Sequence, residues 1–345
     1  MQGRIRNMIS VLTGAVLAAV SVCMAFSSCE RIYDDLEPCP HGVSLRFVYD
    51  YNMEYANSFP RKVDCLTLYI YDDKGNWAGT RTVTGACLQD ESYRMKLDLA
   101  EGTWHFVAYG GLACDDKSFS LADEPSQGST YTDLCAVMDR GQVESSVAEQ
   151  RRLHDMFWGE LTLASADLYS EGTVRMMKNT NNIRIVLQQE NGGQLSPEDF
   201  IFEITDNNSV FSYDNSLVTE GVAPVTYSPW AVGQEQTGVS IVGGNVVPEA
   251  VVVAYAEMST SRLVTGNAPK LVIRRSGDGS RIVDFPLVEY LLLLRSERYR
   301  KMGEQEYLDR ESDYVLFFFL RPDHSWINTH IVVDKWVVRL NNAEF

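Results

Sequence analysis

Hydrophobic and polar residues alternate with a period of two along most of this chain. Val43, Leu45, Phe47 and Tyr49 alternate with Ser44, Arg46, Val48 and Asp50, the pattern of a half-buried β-strand. Leu66, Leu68 and Ile70 face away from Thr67, Tyr69 and Tyr71 in the next run, and residues 72–76 supply the turn after it. Residues 81–84, 93–99 and 103–109 continue the series, the last closing at Gly110-Gly111. Short strands joined by short turns predict an antiparallel β-sandwich. Residues 115–152 are polar and acidic and predict a long loop with a short helix over 143–153. Residues 157–163 then return as the closing strand.

A second strand series follows, over residues 183–187, 200–204, 251–258, 270–274 and 282–285. Asp206-Asn207-Asn208, Gly243-Gly244 and Gly277-Asp278-Gly279 between them are turn chemistry. The pattern changes over 287–309, where Tyr290, Leu291, Leu294, Arg298 and Met302 take helical spacing and predict a helical insertion. Tyr314 to Leu320 is apolar on both faces, as a central buried strand requires. The last strand is predicted over 330–340, with Val332, Trp336, Val338 and Leu340 on one face and Ile331, Val333 and Val337 on the other.

The N-terminus reads differently. Arg4 and Arg6 precede an apolar run from Met8 to Phe26, and Ser27-Ser28 ends it. This is the layout of a secretory signal peptide over 1–28. Cys29, directly after two small residues, resembles the lipidated cysteine of a bacterial lipobox, with Phe26 where Leu is usual. The apolar run is also about long enough for one membrane span, but no basic stop-transfer cluster follows it. Each buried acyl methylene contributes roughly 0.8 kcal/mol, so several chains on Cys29 hold a protein on a membrane where one chain does not. Residues 29–41 then form a tether ending in the stiff Pro38-Cys39-Pro40. The predicted domains are 42–166 and 167–345.

Composition agrees with an extracytoplasmic protein. The 345 residues carry a formal net charge of −17, and without the signal 28 basic face 47 acidic residues. That balance excludes nucleic acid as a partner, because phosphate binding needs clustered Lys and Arg. Five cysteines remain beyond Cys29, namely Cys39, Cys65, Cys87, Cys114 and Cys135. One or two disulfides are expected and at least one free thiol, with the pairing open. No C-x-x-C, G-x-S-x-G, H-E-x-x-H, P-loop or dinucleotide fingerprint occurs. No metal or cofactor and no catalytic set is therefore predicted. Cys65 and Cys114 are expected as core thiols or a disulfide rather than nucleophiles, His105 as a surface or satisfied core residue, and His154 as lacking a partner nucleophile. His324 and His330 are expected to face solvent. The oxygen-rich Asp206–Ser209 and Asp214-Asn215 stretches suit calcium in type, but turn roles explain them better. Most aromatics are expected in the core.

One long string carries a family resemblance: Cys29, Tyr33-Asp34-Asp35-Leu36, Cys39-Pro40, Gly42-Val43, Leu45-Arg46-Phe47 and Tyr49-Asp50-Tyr51-Asn52-Met53-Glu54. It resembles the opening of the FimB-type minor fimbrial lipoproteins of Bacteroidales. Residues 102–111, the block from Gln305 to Tyr314 with Phe317-Phe318-Phe319-Leu320, and Trp336-Val337-Val338 are similar to later parts of that family. The resemblance implies two tandem transthyretin-like Greek-key β-sandwich domains, an outer-membrane lipid anchor and membership of type V fimbriae. It implies stalk pilin subunits and outer-membrane lipid as partners, and assembly by strand donation between subunits. Ile331, Val332, Val333, Trp336, Val337, Val338 and Leu340 have the β-branched, alternating character of a donor strand. The expected role is a fimbrial anchor; a tip or surface adhesin, glycan-binding in form, is the alternative. Metabolic labelling with a palmitate analogue should mark the wild-type chain and leave Cys29→Ala unlabelled; label on the variant rejects Cys29 as the acylated residue.

Overall fold

The computed structural model describes residues 41–144, 151–166, 169–242, 245–333 and 336–338. The signal, Cys29, Cys39 and Leu340 lie outside them. Residues 40–345 form one compact unit. Its first half contains β1 (Gly42–Val48), α1 (Phe59–Lys62), β2 (Cys65–Tyr71), β3 (Trp77–Thr84), β4 (Met95–Leu97), β5 (Gly102–Gly110), β6 (Phe119–Leu121), β7 (Ala136–Met138), α2 (Gly141–Glu144), β8 (Phe157–Ser165), β9 (Tyr169–Arg175) and β10 (Met177–Lys178). The second contains β11 (Thr180–Gln189), β12 (Phe200–Asp206), β13 (Val210–Phe211), β14 (Val225–Tyr227), β15 (Ala231–Val242), β16 (Asn245–Ser261), β17 (Lys270–Arg275), β18 (Arg281–Pro286), α3 (Leu287–Leu293), α4 (Glu304–Arg310), β19 (Asp313–Leu320), β20 (Trp326–Val333) and β21 (Trp336–Val338). The architecture is mainly β with short helical insertions. Among the described residues no helix is long and apolar enough to cross a membrane.

Each half packs two sheets face to face. Sheet β4-β1-β9 lies over β10-β8-β5-β2-β3, and β14-β12-β17-β18 lies over β15-β16-β11-β19-β20-β21. The purely antiparallel expectation fails at one equivalent place in each half. β1 runs parallel to β9, Val43 opposite Ser170, and β11 runs parallel to β19, Ile183 opposite Tyr314. The strand that opens each half therefore lies beside one that arrives at its end, a closure that alternation along single strands does not encode. β9, which lies within the stretch expected as the second domain, pairs with β1 of the first.

The first half's sandwich core takes Leu45 and Phe47 from β1, Leu66, Leu68 and Ile70 from β2, and Phe106 and Ala108 from β5. The half-burial expected of β1 is corrected, because only Arg46 of its seven residues is not buried. All seven residues of β2 are buried. Its other face, Tyr69 and Tyr71, joins Val107 and Tyr109 of β5 in a separate cluster. That cluster continues through Phe119, Leu134 and Met138 into Phe211, Ile185 and Phe318 of the second half. The cover over β2 and β5 is a small sheet, β13-β7-β6, in which Val210 and Phe211 from the second half pair with Val137 and Ala136. The loop expected over 115–152 thus holds two strands. They are three residues each, with alternate buried side chains, too short to stand out from polar surroundings. Of the helix expected at 143–153, Val143 and Glu144 end the single turn α2, and residues 151–153 are not helical.

The helical insertion expected over 287–309 consists of α3, a 3-10 turn at Glu297–Tyr299 and α4. Leu294 ends α3, and Gly303 in an extended conformation starts α4. α3 buries Leu287, Val288, Tyr290 and Leu291. Tyr290 stacks on Phe285 at 4.1 Å between centroids, and Phe318 of the central strand β19 lies within 6.0 Å of both. The stretch expected as one terminal strand forms two: β20 pairs with β19, and β21 pairs back on β20 with Val333 opposite Trp336.

Buried polar groups lock the second half. Arg262 donates from Nε and Nη2 to the two carboxylate oxygens of Asp309, at 2.7 and 2.8 Å, and from Nη1 to the Asn215 carbonyl. Asn215 and Asn179 exchange side-chain amide hydrogen bonds while wholly buried. Asn208 donates to the Arg262 carbonyl and accepts from the Tyr227 hydroxyl. The oxygen-rich turn residues thus serve structural hydrogen bonds. Asp206 is the exception: Oδ1 accepts from Asn207 N–H and Asn267, but the buried Oδ2 has no hydrogen-bond partner. Burial pushes its carboxyl up from 3.8 to about 6.

Two outcomes follow. Breaking a buried, bidentate ion pair leaves an uncompensated charge at a cost of about 3–5 kcal/mol, so Asp309→Ala should lower the urea midpoint sharply; an unchanged midpoint rejects the clamp. A carboxyl whose folded pKa is raised binds its proton more tightly when folded. The stability it contributes is present below pH 3.8 and is lost as pH rises through about 6. Asp206→Asn should therefore be more stable than wild type at pH 8, by roughly 2–3 kcal/mol. A gain of the same size at pH 4 contradicts the burial argument.

Candidate functional site

The segment after β1 makes a rigid loop through its own asparagines. Asn52 donates to the carbonyls of Tyr49 and Ala56, at 3.0 and 2.8 Å, and accepts from Glu54 N–H. Asn57 Oδ1 accepts from the N–H groups of Tyr49 and Phe59, both at 3.1 Å. These bonds replace a sheet ladder and hold Tyr55 at φ 54°, left-handed space that a bulky side chain rarely occupies. Its ring is 55% exposed. Strained, exposed aromatics on stiff loops mark binding surfaces more often than packing.

Arg310 reaches this loop from α4. Its guanidinium carbon lies 4.1 Å from the Tyr51 ring centroid and 4.6 Å from that of Tyr55, within cation–π range. Glu306 accepts from its Nε at 2.8 Å. The neighbouring Arg262–Asp309 clamp fixes the last turn of α4, and so fixes where Arg310 can point. Trp158, Met176 and Met177 complete the walls, and Arg175, ion-paired to Asp50, closes one side. The pocket has a volume of about 400 Å³ and is mostly apolar. Desolvation raises the Tyr51 hydroxyl pKa, so the ring stays neutral. A flat apolar floor with a few fixed polar groups suits a ring-shaped ligand carrying hydroxyls.

This site was not legible in the sequence. Tyr51 lay inside the recognised N-terminal string, but Tyr55 and Arg310 are far apart along the chain and meet only through the fold. The one available signal is the recurrence of tyrosine at 49, 51 and 55 around Asn52 and Asn57.

The residues singled out from the sequence fall elsewhere. Cys29 and Leu340 lie outside the described residues. Ile331, Val332 and Val333 are in β20, while Trp336, Val337 and Val338 are in β21, at the edge of the described six-stranded sheet. Cys65 and Cys114 form a disulfide, so neither is a nucleophile there; Cys87 and Cys135 are free thiols. His105 is half-buried against Tyr131 with Nδ1 on Thr162 Oγ1 at 3.0 Å, and desolvation lowers its pKa. His324 rests against Phe200, with ring centroids 5.4 Å apart, rather than facing solvent.

Comparison with known proteins agrees with this fold. The model of the Mfa2 family, "Fimbrillin-A associated anchor proteins Mfa1 and Mfa2", matches residues 36–342. A candidate adhesin from Bacteroides thetaiotaomicron is 56% identical, covers 89% of this chain and 100% of its own, and superposes with a TM-score of 0.81. A candidate polysaccharide-binding protein from the same organism is 29% identical over 88% of this chain and 98% of its own, with a TM-score of 0.73. The fimbrial anchor protein Mfa2 from Porphyromonas gingivalis is 15% identical over 87% and 99%, with a TM-score of 0.62, and shares the fold. No curated protein matches the chain. On the match over most of its length, the chain belongs to the Mfa2 family and is a non-catalytic, fimbrial adhesin-family surface protein.

Proposed function

We propose that this protein is a fimbria-associated surface adhesin whose Tyr51–Tyr55–Trp158 pocket takes a sugar ring from a surface polysaccharide. The observation that carries the reading is Tyr55, exposed and held in a strained conformation beside Arg310 at the mouth of a fixed pocket. The candidate adhesin and polysaccharide-binding descriptions of the two Bacteroides relatives support it. Acylation of Cys29 holds the chain on outer-membrane lipid, and the N-terminal string supports the finer FimB-type placement.

The family model's own description favours a second reading, an anchor that fixes a fimbria to the membrane. In that case the partner is a stalk pilin of the Mfa1 type. The C-terminal stretch with Ile331, Val332, Val333, Trp336, Val337, Val338 and Leu340 supplies the added strand, because backbone hydrogen bonds give affinity and alternate side chains give register. The two proposed domains, 42–166 and 167–345, act as one rigid arm in either reading. Sheared fimbriae separate them: an adhesin at the tip leaves with the shaft, and an anchor stays with the cells.

Tyr55→Gly removes the ring at a position whose φ suits glycine, so it should change stability by less than about 1 kcal/mol. On an array of surface polysaccharides the wild-type chain should bind a defined subset, and Tyr55→Gly and Trp158→Leu should each lose most of that binding. A wild-type chain that binds none of them, or a Tyr55→Gly chain that binds undiminished, contradicts the carbohydrate site.

A further inference from the structure

The disulfide sits inside a larger set of donors. Cys65 opens β2 and Cys114 lies beyond β5, just after Gly110-Gly111. Gly111 has φ 94°, and any Cβ there would meet the Asp155 carbonyl oxygen at 2.2 Å. This close approach draws residues 154–155 against the disulfide. One atom each from Asp64, Cys65, Cys114 and His154 lies within 4.8 Å of the others. Asp64 Oδ1 is 3.0 Å from Cys114 Sγ and 3.3 Å from His154 Nε2. The other imidazole nitrogen, Nδ1, is 3.0 Å from Asp116 Oδ1. The His154 main chain is fixed by donation from its N–H to Ser118 Oγ at 2.8 Å. A cleft of about 240 Å³ lined by Asp116, Arg152 and His154 opens beside them.

Two thiolates, one imidazole and one carboxylate form a soft, tetrahedral zinc donor set. Bond lengths of roughly 2.0–2.3 Å place such donors about 3.3–3.8 Å apart, so once the S–S bond is cleaved the two sulfurs separate while the widest-spaced donors close in by about an ångström. The Asp116 contact matters most. Zinc-bound histidines donate their other N–H to a carboxylate, which fixes tautomer and ring orientation. His154 already has that partner, with Nε2 directed at Asp64 and the sulfurs.

We propose that, once its disulfide is reduced, this chain binds one zinc(II) ion through Cys65, Cys114, His154 and Asp64, oriented by Asp116. A dithiol reductant supplies two electrons and two protons to the S–S bond and is itself oxidised to a disulfide. The two cysteine thiols then lose their protons to solvent as the metal takes both thiolates. Metal replaces the covalent link between the start of β2 and the segment after β5, so these stay stapled in either redox state. The half-exposed Cys114 gives the reductant its point of attack.

The full chain, reduced and then freed of reductant, is titrated with cobalt(II), with zinc(II) as competitor. The expected result is one equivalent of cobalt with visible tetrahedral thiolate bands, displaced by zinc and absent from the oxidised chain. Asp116→Asn should weaken binding about 10–100-fold, and His154→Ala at least as much. Because free thiols also occur at Cys87 and Cys135, alkylation mapped by mass spectrometry provides the residue-level readout. Zinc should protect Cys65 and Cys114 in the reduced chain. Protection confined to other cysteines, bands unchanged in Cys65→Ser/Cys114→Ser, or no cobalt uptake by the reduced chain overturns the proposal.

Discussion

Strand β2 and the second half of β5, Phe106–Gly110, are buried on both faces, and most of the architecture answers that constraint. Leu66, Leu68 and Ile70 fill the first sandwich, while Tyr69 and Tyr71 on the reverse face need a second cover. An exposed sheet face of this size would lose apolar burial worth roughly 25 cal/mol per Å². The cover comes from β6 and β7, paired to β13 of the other half. One apolar cluster therefore runs from Tyr109 through Phe211 to Phe318. Tyr131 bridges the join, edge-on to Tyr71 and to Tyr213. Lys178, almost wholly buried, adds an ion pair to Asp155 at 3.2 Å, where residues 154–155 pass beside the change-over between halves. Burial of that pair makes its geometry costly to disturb.

A rigid join explains why a binding pocket can sit there. The Tyr51–Tyr55 loop belongs to the first half and Arg310 to the second, and the pocket has a fixed shape only if the halves do not slide. The acidic surface discourages association with anionic polymers, so a neutral glycan ring or a protein strand fits the site better than a polyanion.

Much of the β content was legible because alternation reports burial one residue at a time. β1, β2, β5 and β12 lie where the period of two places them, and the apolar run at Tyr314–Leu320 is central in its sheet. What alternation omits is partnership. The parallel β1–β9 and β11–β19 pairs, and the β13–β7 pair that joins the halves, depend on contacts between distant segments. The helical spacing over 287–309 marks the insertion, and its division into short helices, with Gly303 starting α4, is not encoded in that spacing. The candidate pocket was hidden for the same reason as the pairings: Tyr55 is marked by a backbone strain that no side-chain pattern records, and Arg310 by its neighbour's clamp.

The claim on which this account turns is that both halves share one core and unfold together. Equilibrium urea unfolding of the chain, followed by amide hydrogen exchange at β2 and β5 in one half and at β11 and β19 in the other, tests it directly. A common midpoint and a common opening free energy in all four strands is the predicted result. Separate transitions, with β11 and β19 remaining protected after β2 and β5 have opened, would contradict it.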